Sequence, residues 1–368
     1  MKTTTQTART TFAIAALLAL AACGGGGGGG STGAAAPASG ASTPSTTASS
    51  TSATPATSVP TPTYGSATMQ ATAFQQLNAY RLAMGVGELA QDPILDTAAQ
   101  AHALYLDTNL ASGALTALSH DEVSTLANYY GDTPLSRAQK AGAPATEFIG
   151  ENAGDGLPQS SAAAYGTDCL NGFLNTVYHL QGLTDPQQTV GIGFTQSTGS
   201  YTIYTCVLDF GQTTGVSGTP QANALDISAG QQLPTSAIAT SPLANEAGVA
   251  LTMAAESPNA APDLTAPGRP IMVQVNAASA GDVLTVSSFT LTAANGTVVP
   301  TRIIVPSAAL TGSTASATAD VNSGEMQPGH AFLLPLAALT ANTTYTVAFS
   351  GARDGTPISK TWTFTTGS

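Results

Sequence analysis

The fold is decided by the stretch that begins Gly131-Asp132-Thr133-Pro134, passes Arg137 and Gly142, and ends in Gly150-Glu151-Asn152. An acceptor side chain just before a proline is typical of a helix N-terminus, and a glycine after the last turn is typical of a helix end. The stretch therefore predicts a helix that begins at residues 132–134 and is closed by Gly142.

Two further helices are predicted upstream of this stretch. The first carries side chains at helical spacing and ends at a glycine pair: Phe74, Leu77, Arg81 and Met84, then Gly85 and Gly87. The second begins near Asp92-Pro93 and has a face formed by Leu95, Ala98, His102 and Tyr105. His102 lies on an apolar face, where a packed core histidine is the expected role.

Downstream, the pattern predicts a fourth helix and then two strands. The helix covers residues 160–176, and the strands cover residues 189–194 and 201–210, the latter rich in aromatic and β-branched residues. Helices interleaved with late strands predict an α-β-α sandwich.

From about residue 240 the helical period disappears and short β-type runs follow one another. They cover residues 249–254, 270–275, 284–292, 297–305, 331–336, 345–350 and 360–366. Asn295-Gly296 and Asp354-Gly355 are strong hairpin signals between them. This spacing predicts an all-β sandwich, so the whole chain falls in the α+β class. The ending, through Tyr345 to Trp362-Thr363-Phe364, looks like bacterial Ig-like domains close to fibronectin type III modules. His330 lies in this part and is given no functional role.

The N-terminus has the pattern of an export signal. Lys2 and Arg9 precede the apolar run Phe12–Ala22, which is too short to span a bilayer as a helix. The run ends in Leu20-Ala21-Ala22-Cys23, which resembles the lipobox cut by lipoprotein signal peptidase. We expect cleavage before Cys23 and attachment of lipid to its thiol, including a palmitate chain. The alternative is an ordinary secretory leader with a chance cysteine.

Residues 24–68 are rich in Gly, Ser, Thr, Ala and Pro and bury little apolar area, so they predict a disordered tether. A flexible coil of this length spans roughly 35–40 Å. Gly24 is not the aspartate that resembles an inner-membrane retention signal. The expected location is therefore the cell envelope, with the chain lipid-anchored at the outer membrane or the cell surface.

The expected organisation has five parts: a signal peptide at 1–22, a flexible linker at 23–68, a first domain at 69–212, a linker at 213–239 and a β-sandwich at 240–368.

The charge balance excludes nucleic acid as an expected partner. The formal charge is −12 and becomes more negative when the leader removes Lys2 and Arg9. An acidic surface with no basic patch repels phosphates. The membrane, reached through the lipid on Cys23, is the expected partner instead, together with a small apolar or glycan ligand or an extracellular protein.

Cys169 and Cys206 remain as a pair once Cys23 is assigned to processing. An even pair in an exported protein predicts a disulfide bond. Two buried free thiols are the alternative.

A series of motifs in the first domain points to a known family. In order, these are Leu77-Asn78-Ala79-Tyr80-Arg81, Ser119-His120-Asp121, Gly131-Asp132-Thr133-Pro134, Gly150-Glu151-Asn152, His179 and Val190-Gly191-Ile192-Gly193. The series resembles the bacterial branch of the CAP superfamily, which includes cysteine-rich secretory proteins, antigen 5 and plant pathogenesis-related proteins.

The resemblance implies an α-β-α sandwich with a groove lined by histidines and acids. His120, Glu151 and His179 would line that groove. Glu122 is a further candidate carboxylate, although a solvated loop position is the expected one for it. His179 closes a segment in which Phe173 replaces the tryptophan of the family pattern. The second groove glutamate and the histidine of eukaryotic members have no match here.

Two imidazoles and a carboxylate form the ligand set of an open zinc site, so His120, His179 and Glu151 are candidate ligands for a divalent metal. The same three groups also suit general acid-base chemistry. A polar cluster that holds a loop on a helix is the alternative.

Three functions follow: binding of a lipid, glycan or peptide in the groove, metal-dependent hydrolysis in the same groove, or a role in adhesion or envelope structure. No nucleophile elbow or H-E-x-x-H motif in a suitable context supports the enzyme.

Overall fold

The first half of the chain folds as five helices around one four-stranded sheet. The structure is a computed structural model that describes residues 52–197 and 202–368. The helices are α1 Met69–Met84, α2 Pro93–Ala111, α3 Pro134–Ala141, α4 Ala162–Leu174 and α5 Tyr178–Thr184. The strands are β1 Ala90–Gln91, β2 Phe148–Gly156, β3 Thr189–Gln196 and β4 Tyr204–Gln212. The leader, Cys23 and most of the expected tether lie outside the described residues.

The starts of α2 and α3 and the ends of α1 and α3 lie at predicted capping residues, whereas Thr68, the N-cap of α1, was not predicted. Thr68, Asp92 and Thr133 accept backbone hydrogen bonds at the starts of α1, α2 and α3. Gly85 and Gly142 close α1 and α3 with positive φ angles, a conformation that glycine adopts without a side-chain clash. The predicted helices are therefore confirmed within a few residues.

The sheet has the order β1-β3-β4-β2, with β3–β4 and β4–β2 antiparallel. On β3, a Cβ at Gly191 would collide with the backbone of Leu95, and one at Gly193 with the backbone of Ala99. Both glycines are required because α2 packs directly on this strand. On the other face, Val190 and Ile192 join the apolar core formed with α1, α4 and α5. This is the α-β-α sandwich expected from the sequence.

The second half of the chain forms a two-sheet β-sandwich. Its strands are β5 Ala239–Ser241, β6 Glu246–Val249, β7 Ile271–Gln274, β8 Leu284–Ala293, β9 Thr301–Val305, β10 Ala317–Ala319, β11 His330–Pro335, β12 Thr344–Arg353 and β13 Thr356–Thr366. One sheet has the order β10-β9-β11-β7-β5 and the other β6-β13-β12-β8. A short 3-10 turn, Ser307–Ala309, follows β9.

The strand and hairpin predictions hold with two differences. The strand expected at 249–254 is wrong, because β6 precedes it and the following residues pack as a loop against the first lobe. Asp354-Gly355 forms the β12–β13 hairpin, as predicted. Asn295-Gly296 makes a turn closed by one bridge between Thr292 and Val298, but the chain then crosses to the other sheet.

The two lobes share one apolar core. On β11, Ala331 and Leu333 face the interior of the sandwich, whereas Phe332 and Leu334 belong to the core of the first lobe. β7 divides its side chains in the same way, with Met272 on the side of the first lobe. The five-stranded sheet is thus covered on both faces, which explains why β11 is a continuous apolar run rather than an alternating one.

The segments expected as linkers also make specific contacts. Gln231 is hydrogen-bonded to the backbone of Ala56 and Glu88, and Ala224 donates to the carbonyl of Ile149. No helix among the described residues has the length and apolarity needed to cross a bilayer.

Candidate functional site

The site is built around Glu151, at the centre of β2. Its carboxylate is fully buried and receives the guanidinium of Arg137 at 2.6 Å and the Nδ1 atom of His120 at 2.8 Å. Arg137, on α3, also donates to the carbonyl of His120 and so fixes the loop that carries this histidine. Glu151 is therefore an anchor for His120 rather than an open ligand.

The charge of Glu151 is held by its surroundings. Burial alone would raise the pKa of this carboxyl, but the neighbouring His102, Arg137 and His120 outweigh burial and bring the pKa well below its usual range. Glu151 is thus ionised throughout the physiological range. On the adjacent strand, burial and the charge of Glu151 raise the pKa of Asp209 well above its ordinary value.

A second histidine–glutamate pair lies deeper. His102 Nδ1 contacts Glu122 Oε1 at 2.9 Å, and His102 Nε2 contacts the carbonyl of Ser119 at 3.0 Å. Glu122 also accepts the amide N–H groups of Tyr130 and Gly131. The solvated position expected for Glu122 is wrong, because its side chain is completely buried. The expected core role of His102 is confirmed.

His179 approaches the site from the opposite side of β2. It follows the first residue of α5, and its carbonyl accepts the side-chain amide of Asn152. Its Nδ1 atom lies 3.6 Å from Glu256, a residue of the second lobe. The carboxylate of Glu256 accepts the backbone N–H groups of Val177 and Tyr178 and so caps α5, which has no side-chain cap of its own.

An open cavity of about 1130 Å³ brings His120 and His179 to one space. His120 retains 36% of its side-chain exposure there, and His179 retains 16%. Glu151 and Glu122 are buried and do not line the cavity. The lining comes from the loop at 118–121, the end of β2, α4, the segment 221–223 and, from the second lobe, residues 254–258 and Glu325.

The predicted zinc ligands are not gathered as a ligand set. Both carboxylate oxygens of Glu151 are bonded, to His120 and Arg137, while His179 faces Glu256. Over residues 52–197 and 202–368, no group of three or more His, Cys, Asp or Glu side chains has an arrangement that could hold a metal ion. The sequence predicted that His120 and His179 line one groove, and both line this cavity. Each contacts a different glutamate, however, so they do not share a carboxylate.

Glu256 is the residue that sequence reasoning missed. It lies far downstream of His179, just beyond the segment 249–254 that was predicted as a strand, and no local motif marks it. Its carboxylate lies at the groove. The sequence of the first lobe has no match for the second groove glutamate of eukaryotic family members.

His330 plays no part in this cavity. It is buried in the second lobe, where burial lowers its pKa to about 4 despite contacts to the backbone carbonyls of Pro328 and Gln327. The space beside it, about 30 Å³, is enough for one or two water molecules only.

The His120–Glu151 contact predicts a pH dependence of stability. Burial opposes protonation of His120, but its hydrogen bond to Glu151 and the charge of that carboxylate outweigh burial and raise the pKa of His120. A histidine whose pKa is raised on folding contributes its full stabilisation below its unfolded pKa, near 6.5, and loses it as the pH rises through the folded value. The destabilisation caused by His120→Gln should therefore be largest near pH 5.5 and shrink towards pH 8.5. Urea unfolding of wild type and variant across this range measures it, and a difference that is flat or grows with pH would show that His120 is not charged against Glu151.

The Cys169–Cys206 disulfide is confirmed and joins α4 to β4 in the cavity wall.

The chain was also compared with known proteins, and no curated protein matches it. Residues 74–210 match the CAP family, described as the cysteine-rich secretory protein family. The range runs from α1 to β4 and includes His120, Glu151 and His179. The α-β-α lobe of this chain therefore contains a CAP, or cysteine-rich secretory protein, domain.

Proposed function

We propose that this chain is an exported, lipid-anchored binding protein that holds a ligand in the cavity between its CAP lobe and its β-sandwich lobe. The observation that carries the proposal is the cavity itself, about 1130 Å³ and open to solvent. Ligand sites in proteins are typically clefts of roughly 300–1,000 Å³ with a few polar groups on a mainly apolar wall. This cavity is slightly larger than that range.

The lining has the mixture that a binding site needs. Leu118, Phe173 and Pro258 provide apolar surface, while His120 and His179 provide two polar groups in the same lining. The ring of Phe173 lies 5.3 Å from that of His179 and supports it from the wall. Such groups orient a ligand without having to react with it.

Binding is favoured over hydrolysis by Glu151 or Glu256 because both of these carboxylates are already engaged. Glu151 is saturated by His120 and Arg137, and Glu256 is engaged by the N-terminus of α5. A general base must be able to reach a proton on a bound substrate or water. Neither carboxylate is presented in that way, so these acids support the wall of a binding site.

Export and anchoring rest on the sequence Leu20-Ala21-Ala22-Cys23 and agree with the disulfide, because disulfide bonds persist in oxidising compartments. In cells fed an alkyne-labelled palmitate, the wild-type chain should carry the label and sediment with membranes. Cys23→Ala should lose both properties while keeping its fold. Label in the Cys23→Ala chain, or none in the wild type, would contradict the anchor.

Gly172 allows a direct test of the cavity. It lies in α4 on the cavity wall, and a Cβ built there meets no atom within 4 Å. Gly172→Trp should therefore fill cavity space with an indole, whereas Gly172→Ala should leave the space open and stabilise the helix by about 0.5–1 kcal/mol.

Nile red, a neutral dye that fluoresces in apolar sites, reports occupancy. We expect saturable binding to the mature wild-type protein and to Gly172→Ala, and at least a tenfold weaker binding to Gly172→Trp. Circular dichroism and urea unfolding show whether each variant is folded. Equal binding by all three proteins, or no saturable binding by the wild type, would refute the proposal.

A further inference from the structure

We infer that the ligand is an extended peptide segment with a basic side chain, paired through its backbone with the free edge of β2. This inference rests on the proposed function and names the ligand class of the same cavity. It is carried by three observations: an incompletely paired strand edge, the charge of the lining, and the continuation of the cavity along the surface.

The first observation is the edge of β2. In the order β1-β3-β4-β2, this strand has a neighbour on one side only. On the other side, Ala224 N–H donates to the carbonyl of Ile149, and the side chain of Asn223 accepts the N–H of Glu151. The segment 223–224 therefore covers the first part of the edge like a short strand.

The remainder of the edge has no hydrogen-bonded neighbour, and it is exposed at Asp155, whereas Ala153 is only 5% exposed. Backbone groups of a strand alternate in direction with a period of two residues, so Ala153 and Asp155 point the same way as Ile149 and Glu151. The Asp155 carboxylate bonds its own N–H. No described residue beyond β4 is hydrogen-bonded to the N–H or carbonyl of Ala153 or to the carbonyl of Asp155. An unpaired edge of this kind is a template for an added strand.

This part of the edge borders the cavity. Ala153, Gly154 and Asp155 are all lining residues, and so are residues 221–223. A peptide strand laid beside Ala153 and Asp155 would occupy the cavity between His120 on one face of β2 and His179 on the other. It would continue the pairing that the chain's own segment at 223–224 begins.

The second observation is the charge of the lining. Five lining residues are acidic and, among the described lining residues, none is Lys or Arg: the acids are Asp121, Asp155, Asp168, Glu256 and Glu325. The nearby Arg137 is buried and paired with Glu151. A concave surface in which one sign of charge predominates concentrates ligands of the opposite sign.

The acids are not equivalent in what they can offer a ligand. Asp168 accepts the hydroxyl of Tyr204, and Glu256 caps α5. Asp121, Asp155 and Glu325 are exposed, and of these Asp155 and Glu325 come from different lobes. They are the positions from which a lysine or arginine of the peptide would be contacted. An anionic lipid headgroup would meet repulsion at the same positions.

The third observation is a second groove, about 810 Å³, that shares Leu118, Asp155, Ala255, Glu256 and Ser257 with the cavity. Its further walls are mostly apolar and include Leu110, Leu115 and Ile203. The two spaces together suit a long, narrow ligand. A peptide strand advances about 3.3 Å per residue, and so places apolar side chains in the second groove while its basic residue stays among the acids.

The test uses three blocked nonapeptides with identical apolar flanks, a neutral coumarin label and a central Lys, Gln or Glu. Fluorescence anisotropy with the mature protein at low salt should give the order Lys, then Gln, then Glu, with at least tenfold between the first and the last. A Lys peptide with N-methyl groups on alternate backbone amides cannot donate to the edge and should bind at least tenfold more weakly than its parent.

The charge contribution is tested on the protein by the double variant Asp155→Lys/Glu325→Lys. It should bind the Lys peptide at least tenfold more weakly and should no longer discriminate against the Glu peptide. The matched control is Asp263→Lys, whose carboxylate is 59% exposed outside the cavity lining and paired with Arg302. The control should bind all peptides as the wild type does.

The outcomes separate this inference from the proposed function. Equal affinity for the three central residues, or equal affinity for the N-methylated peptide, would overturn the peptide inference. So would the failure of every peptide to bind a protein that still binds Nile red in a manner sensitive to Gly172→Trp. That last result would leave the cavity as a binding site for another ligand, whereas loss of the Nile red result as well would remove the proposed function.

Discussion

Replacing Arg137 by methionine should lower the free energy of unfolding by about 3–5 kcal/mol, because the substitution leaves the buried carboxylate of Glu151 without its main counter-ion. The Arg137 guanidinium is completely buried and donates to Glu151 and to the carbonyl groups of His120 and Gly131. Methionine fills much of the same volume, so lost packing makes only a small contribution. Urea unfolding at pH 7 measures the change.

Two comparisons isolate the cause. Arg302→Met breaks an exposed pair with Asp263 and should cost less than about 1 kcal/mol. The double variant Arg137→Met/Glu151→Gln removes the stranded charge and should be more stable than Arg137→Met alone, as a coupled pair requires. If Arg137→Met unfolds within 1 kcal/mol of wild type, the buried ion pair is not what holds the His120 loop.

Loss of the Cys169–Cys206 bond should cost roughly 3–4 kcal/mol on the chain-entropy account, because the bond closes a loop with a sequence separation of 37. The Cys169→Ala/Cys206→Ala variant is the form to measure, since both sulfur atoms are buried and alanine adds no polar group. It should also bind Nile red more weakly, because both cysteines belong to the cavity wall.

Cys23→Ala is the matched control and should unfold like the wild type, since Cys23 is assigned to lipid attachment alone. Alkylation of the native protein gives a second reading. Two reactive thiols at Cys169 and Cys206, or a double variant as stable as the wild type, would contradict a structural bridge.

The parts of the fold that could be read from the sequence are those fixed by local chemistry. Asp92-Pro93, Thr133-Pro134, Gly85 and Gly142 determine helix ends within a few residues, so α1, α2 and α3 were predictable. The hairpin at Asp354-Gly355 was predictable for the same reason: a two-residue turn with positive φ angles selects those residues.

Other parts depend on contacts between distant segments. β2 was not predicted, because Gly150, Gly154 and Gly156 interrupt any alternation of side chains along it. Those glycines make room for Leu225, Phe173 and Tyr204, none of which is near in sequence. Similarly, the burial of Glu122 depends on His102 and on two backbone amides of a later loop.

The site was predicted in part. The motifs around His120, Glu151 and His179 identified the groove, and the structure brings the two imidazoles to one cavity. In the structure, Glu151 forms an ion pair with Arg137, and Glu256 of the second lobe lies beside His179. No sequence pattern relates Glu256 to α5, because the contact exists only once the β-sandwich docks against the CAP lobe.

The most direct test of a binding cavity shared by both lobes is amide hydrogen exchange, read by mass spectrometry, on the mature protein with and without saturating Nile red. We expect slower exchange in the bound form at two places together: residues 169–176 on the CAP lobe and residues 254–258 on the β-sandwich lobe. Protection confined to one lobe, or found only outside these segments, would contradict a site formed between them.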